Sequence, residues 1–313
     1  MVRLISHRIL WAVPSLVVVS ALTYVLAWLA PGDAARTVLG TNTDPAAYER
    51  VREQLGLDRS LIGQYSSWVR GASTGDLGSS LFTGEPVTAV LNSRIGVSLS
   101  LIVAATLLAA LVGITIGMVG AIRGGAAGRI CDAVAMLGMA IPAFWLGLLL
   151  ILIFAVQVPI LPATGFVPFA VDPLEWFRSL VLPVVTLAVA GVATIAKQTR
   201  GAVVDAMNSE YVRAMRANGL PARRVLLRHC LKNAAVPVVT VVGLVMIGLL
   251  GGTVLVEQVF GLPGIGQLAV NSTASHDLAV MVGVVVYYTL IVIGSNLLTD
   301  VAYGWLSPRM EQA

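Results

Sequence analysis

The chain has 313 residues, 57% of them hydrophobic and 12% charged, with a mean hydropathy of +0.88. A water-soluble domain carries about 25% charged residues, so this composition excludes a solvent-coated globule and indicates an integral membrane protein. The net charge of +4 does not point to nucleic acid, because the basic residues gather at the ends of apolar runs and in one loop, with no aromatic–basic platform.

Residues 9–30 are uncharged after Arg3 and Arg8. The run exceeds the ~7–15 residues of a signal-peptide core and matches the ~20 needed to span a bilayer, so it reads as a retained first span. Residues 31–94 then change composition. Asp44-Pro45 starts one helix and Ser60 a second, ending near Gly56 and Gly71. Acids and arginines nearly balance here, as befits a folded insert outside the membrane. Further uncharged runs follow at 95–122, 180–196, 235–256 and 278–299, and the apolar run 131–158 carries only Asp132 near its start, giving six spans. Gly113 and Gly117 either allow close helix approach or are merely tolerated in lipid. Pro142 is expected to kink the third span. Residues 159–179 and 257–277 read as outer loops, and short inner loops rich in Arg and Lys place both termini on the cytoplasmic side.

The polar island at 209–233 interrupts this pattern. Ser209 suits an N-cap, with Glu210 in the first turn. Tyr211, Val212 and Met215 share a face beside Arg213 and Arg216, and Gly219 can end the helix in the left-handed conformation. Pro221 then suits the start of a second helix. On charge alone this is an ordinary basic inner loop.

The same residues resemble the EAA loop of ABC importer permeases, whose short helix docks on an ATPase subunit. Arg213, Ala214 and Met215 occupy the EAA positions and Gly219 the glycine. Leu231 matches the later Leu, while Lys232 stands where the family has proline. Glu210-Tyr-Val-Arg213, Arg228-His229 and Leu55-Gly-Leu-Asp58 are similar to the dipeptide, oligopeptide and nickel branch. So are Gly75-Asp-Leu-Gly78, Glu257-Gln-Val-Phe260 and Pro263-Gly264-Ile-Gly266.

The resemblance implies an all-α integral membrane protein, a type I ABC importer transmembrane domain with six transmembrane helices and an extracytoplasmic insert after the first. It divides the chain into a first span (1–30), the insert (31–94), a core (95–304) with a coupling loop (197–234), and a tail (305–313). It further implies a second homologous permease, two ATPase subunits carrying ATP and Mg, and an extracytoplasmic substrate-binding protein. Coupling would fall to Glu210, Tyr211, Val212, Arg213, Ala214, Met215, Arg216, Gly219 and Leu231. The binding protein would meet Glu257, Phe260, Pro263, Gly264 and Gly266. On chemistry alone Pro263-Gly264 and Gly266 are also what an ordinary tight turn requires.

Other chemistries find little support. Neither lysine, Lys197 nor Lys232, sits in a phosphate-binding Gly-Lys-Ser/Thr sequence, so any ATP is hydrolysed by another chain. Gly71-Ala-Ser73-Thr-Gly75 fits the nucleophile-elbow pattern, which needs a strand-to-helix turn and a His partner. Cys131, Cys230 and the histidines His7, His229 and His276 form no recognisable disulfide or metal pattern. No catalytic residue and no bound cofactor or metal is expected. An ion-coupled carrier would place ionisable groups at mid-membrane, whereas Asp132, Glu257 and Asp300 lie near span ends. Within the family, peptides, glutathione, haem and nickel all stay open as substrates.

Overall fold

The structure is a computed structural model describing residues 2–29, 32, 34–40, 44–54, 56 and 58–306. The tail from 307 onward lies outside the described residues, which contain helices, turns and one isolated β-bridge, Ser79 to Pro86. The helices are α1 (Val2–Leu29), α2 (Ala34–Leu39), α3 (Pro45–Gln54), α4 (Leu61–Ala72), α5 (Val87–Arg123), α6 (Gly125–Ala140) and α7 (Ala143–Ile151). They continue with α8 (Pro173–Asn208), α9 (Glu210–Ala217), α10 (Ala222–Val225), α11 (Leu231–Phe260), α12 (Ile265–Ser275) and α13 (Leu278–Leu306). A wide turn of π type extends α7 over Leu152–Gln157, and another joins α10 to α11 over Leu226–Cys230. Five helical stretches are long and apolar enough to cross a membrane, or six if the bent pair α6–α7 is one span.

That pair departs from expectation. The third span is broken at Ile141–Pro142, and its halves meet at 92°. Both Ile141 and Pro142 are extended. A residue before proline is pushed out of the helical region, and proline supplies no N–H to bridge the gap. The fourth span also outlasts its uncharged run. It starts at Pro173, where Asp172 accepts bonds from the Leu174 and Glu175 amides at 2.8 and 3.1 Å. It continues through Lys197 and Arg200 to Asn208. Residues 265–275, read as loop, are helical.

The chain divides into two compact units. One comprises Val2–Ser98 and Pro263–Ile293. Here α1 is held to α4 by Tyr65, whose hydroxyl donates to the Val17 carbonyl at 2.9 Å and lies 3.1 Å from Ser20 Oγ. The Tyr24 ring packs edge-on to Tyr65 at 5.3 Å. Its core gathers Leu77, Val87, Leu91, Ile265, Val280 and Val284. Buried Asp277 caps α13 and accepts bonds from Ser80 Oγ at 2.6 Å and the Leu81 amide at 3.1 Å, pinning the 79–86 turn. The expected caps of α3 and α4 are present: Asp44 accepts from the Ala46 amide and Ser60 from the Gly63 amide.

The other unit comprises, among the described residues, Leu99–Leu262 and 294–306. Its centre is α8, packed against α6, α7 and α11 and approached by α5 at Gly113 and Gly117. The two readings of Gly113 and Gly117 are decided here. A Cβ on Gly117 would lie 2.5 Å from the Ala196 carbonyl oxygen, and one on Gly113 2.9 Å from that of Val192. Backbone touches backbone along this seam, so the glycines are required for helix approach.

Candidate functional site

The island between α8 and α11 folds as a small knob with a core of its own. Only Ser209 separates α8 from α9. Ser209 occupies the N-cap position, but its hydroxyl donates back to the Ala206 carbonyl at 2.6 Å and makes no forward cap. Helix α9 ends in a Schellman turn: the Leu220 amide donates to Met215 O at 3.2 Å and the Gly219 amide to Arg216 O at 3.0 Å. Gly219 sits at φ +79°, a conformation that costs a residue with a Cβ. Pro221 then starts α10, which runs through the π turn into α11 as one helical stretch from Ala222 to Phe260.

Exposure sorts the expected coupling residues into two faces. Val212 is fully buried with Val225 and Cys230, and Tyr211, Met215 and Leu220 pack against them. This corrects the expectation of an apolar contact for a partner at Val212, which is fully buried, while Tyr211 and Met215 are half-buried beside it. That stripe is turned inward because a short amphipathic helix must first bury its own apolar side to stay folded. Tyr211 is fixed further by Asn233, whose Nδ2 donates to the phenol oxygen at 2.8 Å. Leu231 packs below, against Ala121, Val203 and Ala234. The outer face of α9 is left to Glu210, Arg213, Ala214 and Arg216, all exposed. With exposed Arg223, Arg224 and Arg228 they form a cationic surface with no internal ion pair among the described residues.

The 257–266 stretch is different. Glu257 and Phe260 are buried at 0% and 1% exposure, and Gly264 and Gly266 are buried as well. Only Pro263 of the expected contact residues is exposed. A surface role for the Glu257 and Phe260 side chains is therefore excluded in this arrangement. Ser73, in the nucleophile-elbow sequence, closes α4 in a helical conformation, and its hydroxyl donates to Arg70 O at 2.7 Å. No strand leads into it.

Sequence reasoning missed several residues that the structure makes important. Asp132, expected only to lie near a span end, forms an ion pair with Arg200 between α6 and α8 at 2.8 Å. Asn233 and Asp277 carry bonds between segments far apart in sequence, for which local spacing gives no signal.

Comparison with known proteins agrees with this architecture. Residues 109–312 match the family described as binding-protein-dependent transport system inner membrane component. Residues 1–102 match that family's N-terminal region. The chain belongs to the family of binding-protein-dependent transport system inner membrane components, the permeases of ABC importers. It is 35% identical over 312 residues to a protein of Brucella abortus (strain 2308) named as a peptide transport system permease, covering 99% of each chain. It is also 35% identical over 312 residues, with the same coverage, to the glutathione transport system permease protein GsiC of Escherichia coli (strain K12). A solved structure of the MetNI methionine ABC transporter in an inward-facing conformation shares the fold. Its TM-score is 0.58 at 18% identity, covering 71% of this chain and 98% of that one. The fold is thus that of a type I ABC importer transmembrane domain.

Proposed function

We propose that this chain is one of two permease subunits of an ATP-driven importer of short peptides. Its exposed α9 face is where an ATPase subunit would grip. The observation that carries the reading is the arrangement of α9: an apolar side packed on its own core, a cationic side open, and short joints to α8 and α10. An ATPase that moved α9 would move both long helices, because one residue links it to α8 and a hydrogen-bonded turn to α10. ATP and Mg would sit on the ATPase subunits.

The inner loops carry the excess of Arg and Lys, which supports cytoplasmic termini and a cytoplasmic α9. An extracytoplasmic binding protein would meet the turn after α11 through exposed Pro263. Short peptides as substrate rest on the relatives named above. Glutathione is itself a tripeptide, so both relatives point to one chemical class.

The test is a double charge reversal, Arg213→Glu with Arg216→Glu, in the full transporter reconstituted in proteoliposomes. ATPase subunits are expected to co-purify with the wild type and to be lost from the variant. Uptake of dialanine and glutathione should fall by about tenfold or more, as for a contact governed by complementary charge. Wild-type retention of the ATPase subunits by the variant would refute docking at this face.

A further inference from the structure

Helix α6 differs from its neighbours in how it is held. At its start Gly124 and Gly125 both have left-handed φ, +58° and +49°. At its end lies the extended Ile141–Pro142 break with its 92° bend. Sixteen helical residues thus lie between two non-helical joints. Where α5 meets α8, backbone presses on backbone at Gly113 and Gly117. Where α6 meets α8, the close approach is to side chains: a Cβ on Gly138 would lie 3.1 Å from Ala193 Cβ, with the Val189 carbonyl oxygen farther off at 3.5 Å. Alongside α6 runs a mostly apolar cavity of about 310 Å³, walled by Leu108, Val112 and Ile116 of α5, Val134 of α6, and Val189 and Val192 of α8.

One polar link bridges the two helices at the Gly124 end. Arg200 Nη1 donates to both Asp132 oxygens, at 2.9 and 2.8 Å. The side chains are 28% and 40% exposed, so the pair is partly shielded from water. The guanidinium lies across Gly128, where a Cβ would come within 2.7 Å of Nη2. Arg200 stands on the last turns of α8, the helix that continues through Ser209 into α9.

We propose that α6 is a hinged gate latched to α8 by the Arg200–Asp132 pair, which makes these two positioning residues for transport. This rests on the permease reading, in which α9 is the driven element. Movement of α9 travels along unbroken α8 to Arg200. There it either carries α6 along or, once the pair parts, frees it to swing on its two joints.

Cys131 reports the state of the gate. It is 5% exposed, adjoins Asp132 in sequence and lines the cavity. The experiment measures alkylation of Cys131 by N-ethylmaleimide in membranes holding the full chain, read by peptide mass spectrometry. Substrate moved per ATP is measured in the reconstituted complex with dialanine as the probe. Arg200→Ala is expected to raise the Cys131 alkylation rate about tenfold, the scale expected when a partly exposed, hydrogen-bonded ion pair is lost. Losing a nearby cation by itself slows thiolate chemistry, so faster alkylation reports exposure. Dialanine moved per ATP should fall several-fold in the same variant. The reversed pair, Arg200→Asp with Asp132→Arg, should restore both readouts. Arg200→Lys, which keeps the charge but not the planar guanidinium, should fall between, and it covers the case in which Arg200→Ala does not accumulate.

Wild-type alkylation in Arg200→Ala and Arg200→Lys would overturn the latch, as would a reversed pair as open as the single variant. If ATPase subunits fail to bind the wild-type chain, the permease reading falls, while Cys131 alkylation still decides the latch.

Discussion

Helices α9 and α11 end in the same turn and use it in opposite surroundings. At Gly219 the amide pattern closes α9, and at Gly261 the Leu262 amide donates to Glu257 O at 2.9 Å with Gly261 at φ +60°. Around Gly219 a Cβ would meet nothing within 4 Å, and the preceding helix shows its charges to solvent. Around Gly261 the flanking side chains Glu257, Phe260 and Leu262 are all buried. A repeated backbone device thus serves to present one surface and to seal another. The difference lies in what the neighbouring side chains pack against.

Substitutions can break that contrast. The largest expected effect is Phe260→Ala. Its ring fills the notch at Gly147, and removing it should cost about 3–5 kcal/mol. Thermal unfolding in detergent should shift down and the amount of protein in membranes should drop. If stability is unchanged and only binding-protein affinity falls, Phe260 is a contact residue after all. Gly219→Val comes next. With open space around it, the penalty is purely backbone, about 1–2 kcal/mol for a left-handed residue bearing a Cβ. The chain should still accumulate in membranes while uptake falls sharply and ATP hydrolysis uncouples from it. Gly219→Asn should do less harm, since Asn tolerates this conformation. The smallest effect is expected from Pro263→Asp, which should leave stability within about 0.5 kcal/mol of wild type, as for surface changes generally. If Pro263 meets the binding protein, the affinity of that protein for the complex will weaken, and unchanged affinity moves the contact elsewhere.

The two turns also show how far sequence reading reaches. Glycine spacing placed the end of α9 because a left-handed residue after an amphipathic stretch is a local requirement. The resemblance to importer permeases placed Glu257 and Phe260 at a contact surface, because their motif stands in the loop region after an apolar run. Motif position does not report depth, and only packing against α7 and α8 shows that these side chains turn inward. Val212 repeats the lesson. Its periodicity identified an apolar face correctly, but whether that face meets a partner or the chain itself depends on Val225 and Cys230, which return to it only in the folded state.

From the sequence alone came the membrane class, the apolar spans, the caps of α3 and α4 and the site of the break at Pro142. Each follows from hydropathy or from backbone chemistry within a few residues. Tertiary structure decided that Gly113 and Gly117 mediate contact, that the third span turns through a near right angle, and that Asp132 meets Arg200. Those outcomes depend on atoms far apart in the chain, whose distances are set by how helices pack and not by the order of residues along any one of them.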